Sequence, residues 1–500
     1  MPTAELRLEP SYTRKELTDS LCRASGLSRP HYRILSKSLD ARNRKFIHYL
    51  VRVEYDAVPL PERASCTIPR LSRPPSVTVV GMGPAGYFAA LCCAMAGCSV
   101  TVLEQGKEVS AREKDIASLE ETGLLDPYSN YLYGEGGAGT FSDGKLTSRT
   151  KSIRPERDFI YRVYVDAGAP EEIVYLSRPH VGSDILRLMM PKLRNRLLSY
   201  GATIHFGTQC TGFSDEGTVI TSNGDFTTDY IVFAPGHSSY DTYRMLIRSG
   251  VSFSSKECAI GVRVEHPQAV INRAQWGREQ VFGLTAAEYQ LSYNDGDDRV
   301  YSFCMCPGGE IVPAARTPYH TGVNGASRYA RSGNFANAAI VSSFNMDRHR
   351  GKRTDPLETL DYFELLQHSL YERSGSLAMP ANTIEAFIRK RTASALPYAT
   401  YPCSVYTDSF DGLLDEGTCG ALRRAMRYFS KKMKGFGTGT LVGTELTSSA
   451  PVQVSRDVNG RADGYQNVYV CGEAGGFAGG IISSAADGMR AALDIVSRHG

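Results

Sequence analysis

Hydrophobic and polar positions alternate over residues 4–9, 32–39 and 45–55, the period of two that sends side chains to opposite faces of a strand. Between the first two runs, Thr13 is followed three residues later by Glu16, a capping-box pair that opens a helix closing near Gly26. Together these elements predict a small βαββ unit. The alternation stops at residue 57. Pro59, Pro61, Pro69, Pro74 and Pro75 then remove backbone donors from any sheet interior, so residues 57–75 read as a linker. A different pattern starts at Ser76: a continuous β-branched run over 76–80, glycines at once after it, an apolar small-residue helix over 86–96, and a second strand over 99–103. Further strands are expected at 203–206, 218–221, 230–234 and 467–471, with a closing helix over 481–496. Strand, turn and helix in that order are the mark of parallel α/β folds. Residues 258–463 mix strands and helices, repeat no glycine turn of the first kind, and read as an insertion.

Composition narrows the function classes. A chain of 500 residues exceeds what one core organises, so two or three domains are expected. No apolar run approaches the ~18 residues of a membrane span, and the first ten residues lack a signal pattern, which argues for the cytoplasm and against a membrane partner. The 12 cysteines are scattered through apolar segments and show no zinc-ligand spacing. They are expected to be reduced core thiols, with no metal bound. The net charge of +3 makes nucleic acid an unexpected partner. Residues 1–75 are locally basic, with 14 Lys/Arg against 8 Asp/Glu. Arg42, Arg44, Lys45 and Arg52 therefore motivate a second class of reading, in which the first domain binds RNA or a protein partner.

The chemistry concentrates at two glycine turns. Gly81-Met82-Gly83-Pro84-Ala85-Gly86 fits GxGxxG between a buried strand and a helix. Gly81 permits the sharp turn, Gly83 lets backbone approach a pyrophosphate, and Gly86 lets helix and strand pack closely. Glu104 ends the next strand about 20 residues on, where a carboxylate accepts from ribose hydroxyls, with Gln105 and Gly106 beside it. This predicts a bound dinucleotide without separating FAD from NAD. Near the other end of the chain, a strand runs into Gly472 and Glu473, and Gly475, Gly476, Gly479 and Gly480 lead into a helix opening at Ile481.

Taken with GEGGAGTFSDGKL (134–146), RPHVGSD (178–184), FAPGHSSYDTY (233–243), GVRVEHPQ (261–268), FCMCPGG (303–309) and GEAGGFAGGIISSAADG (472–488), the chain resembles the bacterial FAD-dependent dehydrogenases, relatives of glutathione-reductase-like two-dinucleotide-binding flavoproteins. The resemblance implies FAD as cofactor, with the Gly472-Glu473 segment at its ribityl and phosphate part and the helix from Ile481 pointing its positive end at the flavin pyrimidine. It implies an α/β architecture in four stretches. These are an N-terminal α/β domain with its Pro-rich linker (1–75), a Rossmann-like, glutathione-reductase-type FAD domain (76–257), an inserted mixed α+β substrate or cap domain (258–463), and the completion of the FAD domain (464–500).

Candidate side chains follow from these segments. In the loop 134–146, Gly137, Gly139 and Gly144 expose backbone N–H groups, Thr140, Ser142 and Asp143 offer polar contacts, and Lys145 places a cation beside flavin or an anionic substrate. Gly236 ends a strand, and His237 beyond it is a candidate acid or base. Arg263 and His266 are candidates for binding an acidic substrate. Cys304 and Cys306 invite a redox-pair reading, but one-apart cysteines close strained rings, so buried core thiols are expected instead. The expected function is hydride transfer between flavin and a small-molecule substrate; with only one fingerprint present, NAD(P)H is expected to dock transiently as a donor or not at all. A flavin monooxygenase is the alternative within the same fold.

Overall fold

The computed structural model describes residues 1–61, 66–147, 153–296 and 298–500; residues 62–65 of the expected linker lie outside the described residues. Short β-branched and aromatic runs assemble a five-stranded parallel sheet in the order Val468–Val470, Tyr230–Phe233, Ser76–Val80, Ser99–Leu103, Thr203–His205. Ser76–Val80, Tyr230–Phe233 and Val468–Val470 are largely buried because the sheet is covered on both faces there, whereas the edge strand Thr203–His205 is mostly exposed. The helices Pro84–Met95 and Ile481–Ser497, from opposite ends of the chain, pack directly on each other. That contact requires glycine at 488, where a methyl group would overlap the Ala85 carbonyl. A three-stranded antiparallel sheet, Cys210–Phe213, Thr218–Thr221 and Phe226–Thr227, is inserted between the parallel strands Thr203–His205 and Tyr230–Phe233. For the parallel sheet and its two packed helices, the positions read from periodicity agree with these bounds to within one or two residues.

The middle of the chain folds around a seven-stranded sheet ordered Ser292–Asp295, Asp298–Cys306, Phe335–Phe344, Cys258–Pro267, Thr440–Glu445, Met379–Thr383, Val405–Thr407. All pairings are antiparallel except the last. Cys258–Pro267 lies at its centre and is buried along its length apart from Pro267. Where Asp298–Cys306 meets its neighbour, the register shifts between Phe303 and Cys306, and Cys304 adopts a left-handed φ of 44°.

The N-terminal unit has strands Thr3–Leu8, His31–Asp40 and His48–Asp56, with the last strand central, and the helix Arg14–Ser25 on one face. The Thr13–Glu16 capping box forms, and Gly26 ends the helix at φ 73°. Lys37 and Arg44 tie this unit to the other two: Lys37 N–H donates to the Tyr175 carbonyl (2.8 Å), and the Arg44 guanidinium to that of Ala274 (2.7 Å). Among the described residues no helix is long and apolar enough to cross a membrane.

Candidate functional site

Parallel strands end together, so the loops after them gather at one edge, where α/β sheets form their clefts. A cleft of about 1390 Å³ opens there, between the parallel sheet and the seven-stranded sheet, larger than the ~300–1,000 Å³ of ordinary small-ligand pockets. Gly81, Gly83, Pro84 and Ala85 line it from the first glycine turn, and Glu104 and Gln105 from the next strand end. Gly137, Gly139, Ser142, Asp143, Gly144 and Lys145 come from the glycine-rich loop. Gly236, His237, Glu473, Gly480 and Ile481 complete the wall.

Six expected positions are not on that wall. A methyl group at Gly86 would overlap the Gly81 carbonyl, and at Gly106 it would press on the Gly134 backbone, so both glycines serve close chain approach behind the cleft. Gly472 is packed against Ala85 (2.6 Å to an added Cβ) and donates its N–H to Asp487 (2.8 Å). Thr140 is buried, its hydroxyl donating to the Glu135 carbonyl (3.2 Å). His266 belongs to the core of the inserted region, with Nε2 2.7 Å from the Phe436 carbonyl. Burial pushes its imidazole down to about 4, which keeps it neutral. Its neighbour Arg263 is equally enclosed, held by Glu445 (2.9 Å) and Asn337 (2.8 Å). Neither side chain is open to a substrate.

The two helices that reach the cleft begin alike. Gly83 is the N-cap of Pro84–Met95 and Gly480 of Ile481–Ser497, and neither helix start carries a side-chain cap. A helix start without a capping side chain presents unpaired N–H groups and the positive end of its dipole. Glu104 organises the first turn, its carboxylate accepting from Met82 N–H and Gly106 N–H at 2.8 Å each. Glu473 organises the second, accepting from Gly480 N–H (2.7 Å) and from His237 Nδ1 (2.6 Å). Burial works against charge at both partners, but each favours the other's charged form: His237 is raised above its ordinary value and Glu473 lowered below its own.

The glycine-rich loop is anchored by a residue that sequence reasoning did not single out. Arg112, fully buried on the helix Val109–Thr122, donates to the carbonyls of Asn130 (2.7 Å), Glu135 (2.8 Å), Gly137 (3.0 Å) and Tyr131 (3.1 Å). Its guanidinium also lies 4.7 Å from the Phe141 ring centre. A signal was present, since Val109, Arg112, Ile116 and Leu119 form one buried helical stripe with an arginine in it. Asp143, buried at the loop's far end, joins Lys145 (2.6 Å) and Arg331 (2.7 Å) and accepts from Ser327. Burial raises the Asp143 carboxyl, and the two cations overcome that and hold it well below its usual range. Lys145 correspondingly stays protonated despite desolvation, because Asp143 lies against it.

In the N-terminal unit, Arg42 is paired with Asp40, and Arg44 is engaged with Ala274.

The family model described as "FAD-dependent protein, C-terminal domain-like" matches residues 257–448. An uncharacterised protein of Clostridium beijerinckii is 36% identical over 434 residues, covering 84% of this chain and 80% of its own. The chain belongs to this FAD-dependent protein family. Its cofactor is FAD. Solved structures of lower likeness include 2-methyl-3-hydroxypyridine-5-carboxylic acid oxygenase (10% identity, TM-score 0.34, covering 85% of this chain and 82% of that one). The amino acid oxidase NikD is another (14% identity, TM-score 0.34, covering 85% and 94%).

The cleft of this FAD-dependent protein suits a dinucleotide on its own geometry. Gly236, Gly479 and Gly480 leave open space where a Cβ would stand. The buried hydroxyls of Ser238, Thr447 and Ser484 line the same wall with no hydrogen-bond partner among the described residues, a costly condition that a polar ligand relieves.

Proposed function

We propose that this chain is an FAD-dependent oxidoreductase acting on a small-molecule substrate. The observation that carries the reading is the pair of glycine-capped, otherwise uncapped helix starts at Pro84 and Ile481, which come from opposite ends of the chain and open into one cleft. In this reading Gly81, Gly83, Pro84 and Ala85 would hold the pyrophosphate. Glu104 would meet ribose hydroxyls through the carboxylate lone pairs left over by Met82 and Gly106. Gly137, Gly139, Ser142 and Gly144 would border the flavin from the glycine-rich loop, with Gly236, Glu473, Gly480 and Ile481 opposite. FAD supplies two-electron hydride chemistry at its N5 when bound. The protein's part is to orient, to exclude water and to place charge. Lys145, kept protonated by Asp143, offers a cation to an anionic group. His237 and Glu473 hold one proton between them at Nδ1.

A glutathione-reductase-type fold for residues 76–257 and 464–500 is supported by the parallel sheet and its antiparallel three-stranded insertion. Residues 258–463 would then be the substrate domain, NAD(P)H without a second glycine fingerprint would dock transiently or not at all, and the free cysteines fit a cytoplasmic location. The test is to purify the protein with FAD and follow the visible flavin band anaerobically with NADH, NADPH and a panel of metabolites. Bleaching by one of them is the expected result, and oxygen uptake coupled to a hydroxylated product would redirect the reading to a monooxygenase. Flavin that binds but stays oxidised throughout would remove the enzymatic reading.

A further inference from the structure

Several cysteines line the cleft, and most behave as ordinary core thiols. Burial alone pushes Cys210 up to about 11, and burial outweighs the nearby Lys256 to push Cys258 up to about 12. The pair on the strand Asp298–Cys306 is different. In a regular strand, residues two apart share a face and keep their ladder bonds. Here the register shift between Phe303 and Cys306 takes residues 304 and 305 out of the ladder. Cys304 takes the left-handed φ of 44°, a conformation that costs a side-chain-bearing residue energy and persists where surrounding structure imposes it. The result splits the pair. Cys304 is half-buried and lines the cleft, while Cys306 is fully buried behind it. The Cys306 thiol donates to the Cys304 carbonyl (3.3 Å).

Two cations stand over the pair. Lys145 Nζ lies 3.9 Å from the Cys306 sulfur, and Arg263 Nη2 lies 3.6 Å from that sulfur and 2.9 Å from the Cys304 carbonyl. The facing acids are Asp143, shared between Lys145 and Arg331, and Glu445, paired with Arg263. Gly325 makes room for the arrangement, since a methyl there would overlap the Arg263 guanidinium.

We propose that Cys304 and Cys306 form a thiol–disulfide exchange centre in the wall of the cleft, with Cys304 the attacking sulfur, Cys306 the resolving sulfur, and a small disulfide the substrate. Lys145 and Arg263 touch the Cys306 sulfur and so favour negative charge on the pair, and its place on the cleft wall makes Cys304 the sulfur that a substrate can reach. Contact with the Cys306 side chain, and then the charges of Lys145 and Arg263, hold Cys304 below the usual thiol range, while contact with Cys304 and burial hold Cys306 well above it. The Cys304 thiolate attacks one sulfur of R–S–S–R′; the Cys304–S–R bond forms as the S–S bond breaks, and R′–S⁻ leaves. Cys306 then gives up its proton to solvent and attacks the Cys304 sulfur, forming the Cys304–Cys306 bond and releasing R–S⁻. Two electrons pass from the protein pair to the substrate, which ends as two thiols. The strained ring closed by one-apart cysteines makes the protein disulfide easy to reduce again by a dithiol. The exchange itself uses no flavin, so it stands or fails separately from the oxidoreductase reading above.

The experiment uses the full-length protein and peptide mass spectrometry. Between pH 6 and 8, iodoacetamide labelling of an ordinary thiol of pKa ~8.5 accelerates about 75-fold, whereas labelling of Cys304 is expected to change by less than about twofold. On exposure to hydroxyethyl disulfide, the wild-type protein should lose two hydrogens across residues 304–306. Cys306→Ser should instead accumulate one hydroxyethylthio group on Cys304, and Cys304→Ser should do neither. Labelling of Cys304 that climbs with pH like an ordinary thiol, or wild-type protein in which residues 304–306 keep both hydrogens, overturns the proposal. The wild-type measurements do not depend on either variant folding.

Discussion

Replacing Arg112 with methionine removes the buried cation that ties the first half of the glycine-rich loop to the helix Val109–Thr122, while keeping comparable length and a sulfur beside Phe141. The guanidinium makes four hydrogen bonds to carbonyls at 2.7–3.1 Å. Bonds from a charged donor contribute about 1.5–3 kcal/mol each, but the simple sum overshoots, because burying the cation opposes its charge, as the lowering of Arg112 to about 10 by desolvation shows. Breaking one side of a buried charged interaction costs about 3–5 kcal/mol, and that is the expected loss of local stability for residues 130–141. At 1.4 kcal/mol per factor of ten, amide hydrogen exchange in this segment should accelerate by about 100-fold to 4,000-fold. The reporting amides include Gly136, which donates to the Met82 carbonyl (3.0 Å), and Glu135, which donates to that of Lys107 (3.0 Å). Hydrogen-exchange mass spectrometry of apoprotein reads the effect, with a peptide from the distant strand Cys258–Pro267 as the unchanged control. The same variant should bind FAD at least about tenfold more weakly if the loop borders the cofactor. Exchange in 130–141 that stays within about threefold of wild type would show that the loop holds its shape without Arg112 and refute the reasoning.

The His237–Glu473 pair carries a pH signature. His237 is raised from 6.5, so its stabilisation is complete below that value and fades as pH rises through the folded value; Glu473 is lowered from 4.5, so its share is complete above 4.5 and fades as pH falls through its folded value. The melting-temperature gap between wild type and His237→Gln should therefore be widest between pH 4.5 and 6.5 and narrow toward pH 9, and a gap that is level from pH 5.5 to 9 counts against the pairing. Gly488→Ala should lower apoprotein stability by about 1–3 kcal/mol, because the added methyl overlaps the Ala85 carbonyl where the first and last helices of the parallel-sheet unit cross; an unchanged melting temperature would mean that the helices separate at little cost.

Local patterns determined much of this protein by themselves. A capping box at Thr13 and Glu16, a β-branched run at 76–80 and a glycine turn after it act within a few residues, so the elements they specify are readable before any contact is known. Most of the residues read from the glycine turns also reach the cleft, because a turn at the end of a parallel strand has one place to go. Tertiary structure alone decided which glycines face a ligand and which face the chain. Gly83 and Gly480 open on the cleft while Gly86, Gly106 and Gly472 admit a neighbouring backbone or side chain, and each use asks for the same missing Cβ. It also decided between two histidines and between two cysteines. His237 meets Glu473 across a gap of 236 residues, whereas His266 is sealed against Phe436. Beside a single register shift, Cys304 lines the cleft and Cys306 is buried behind it. Charge, exposure and partners at these positions are set by residues hundreds apart in the chain, and no spacing rule along the sequence encodes that distance.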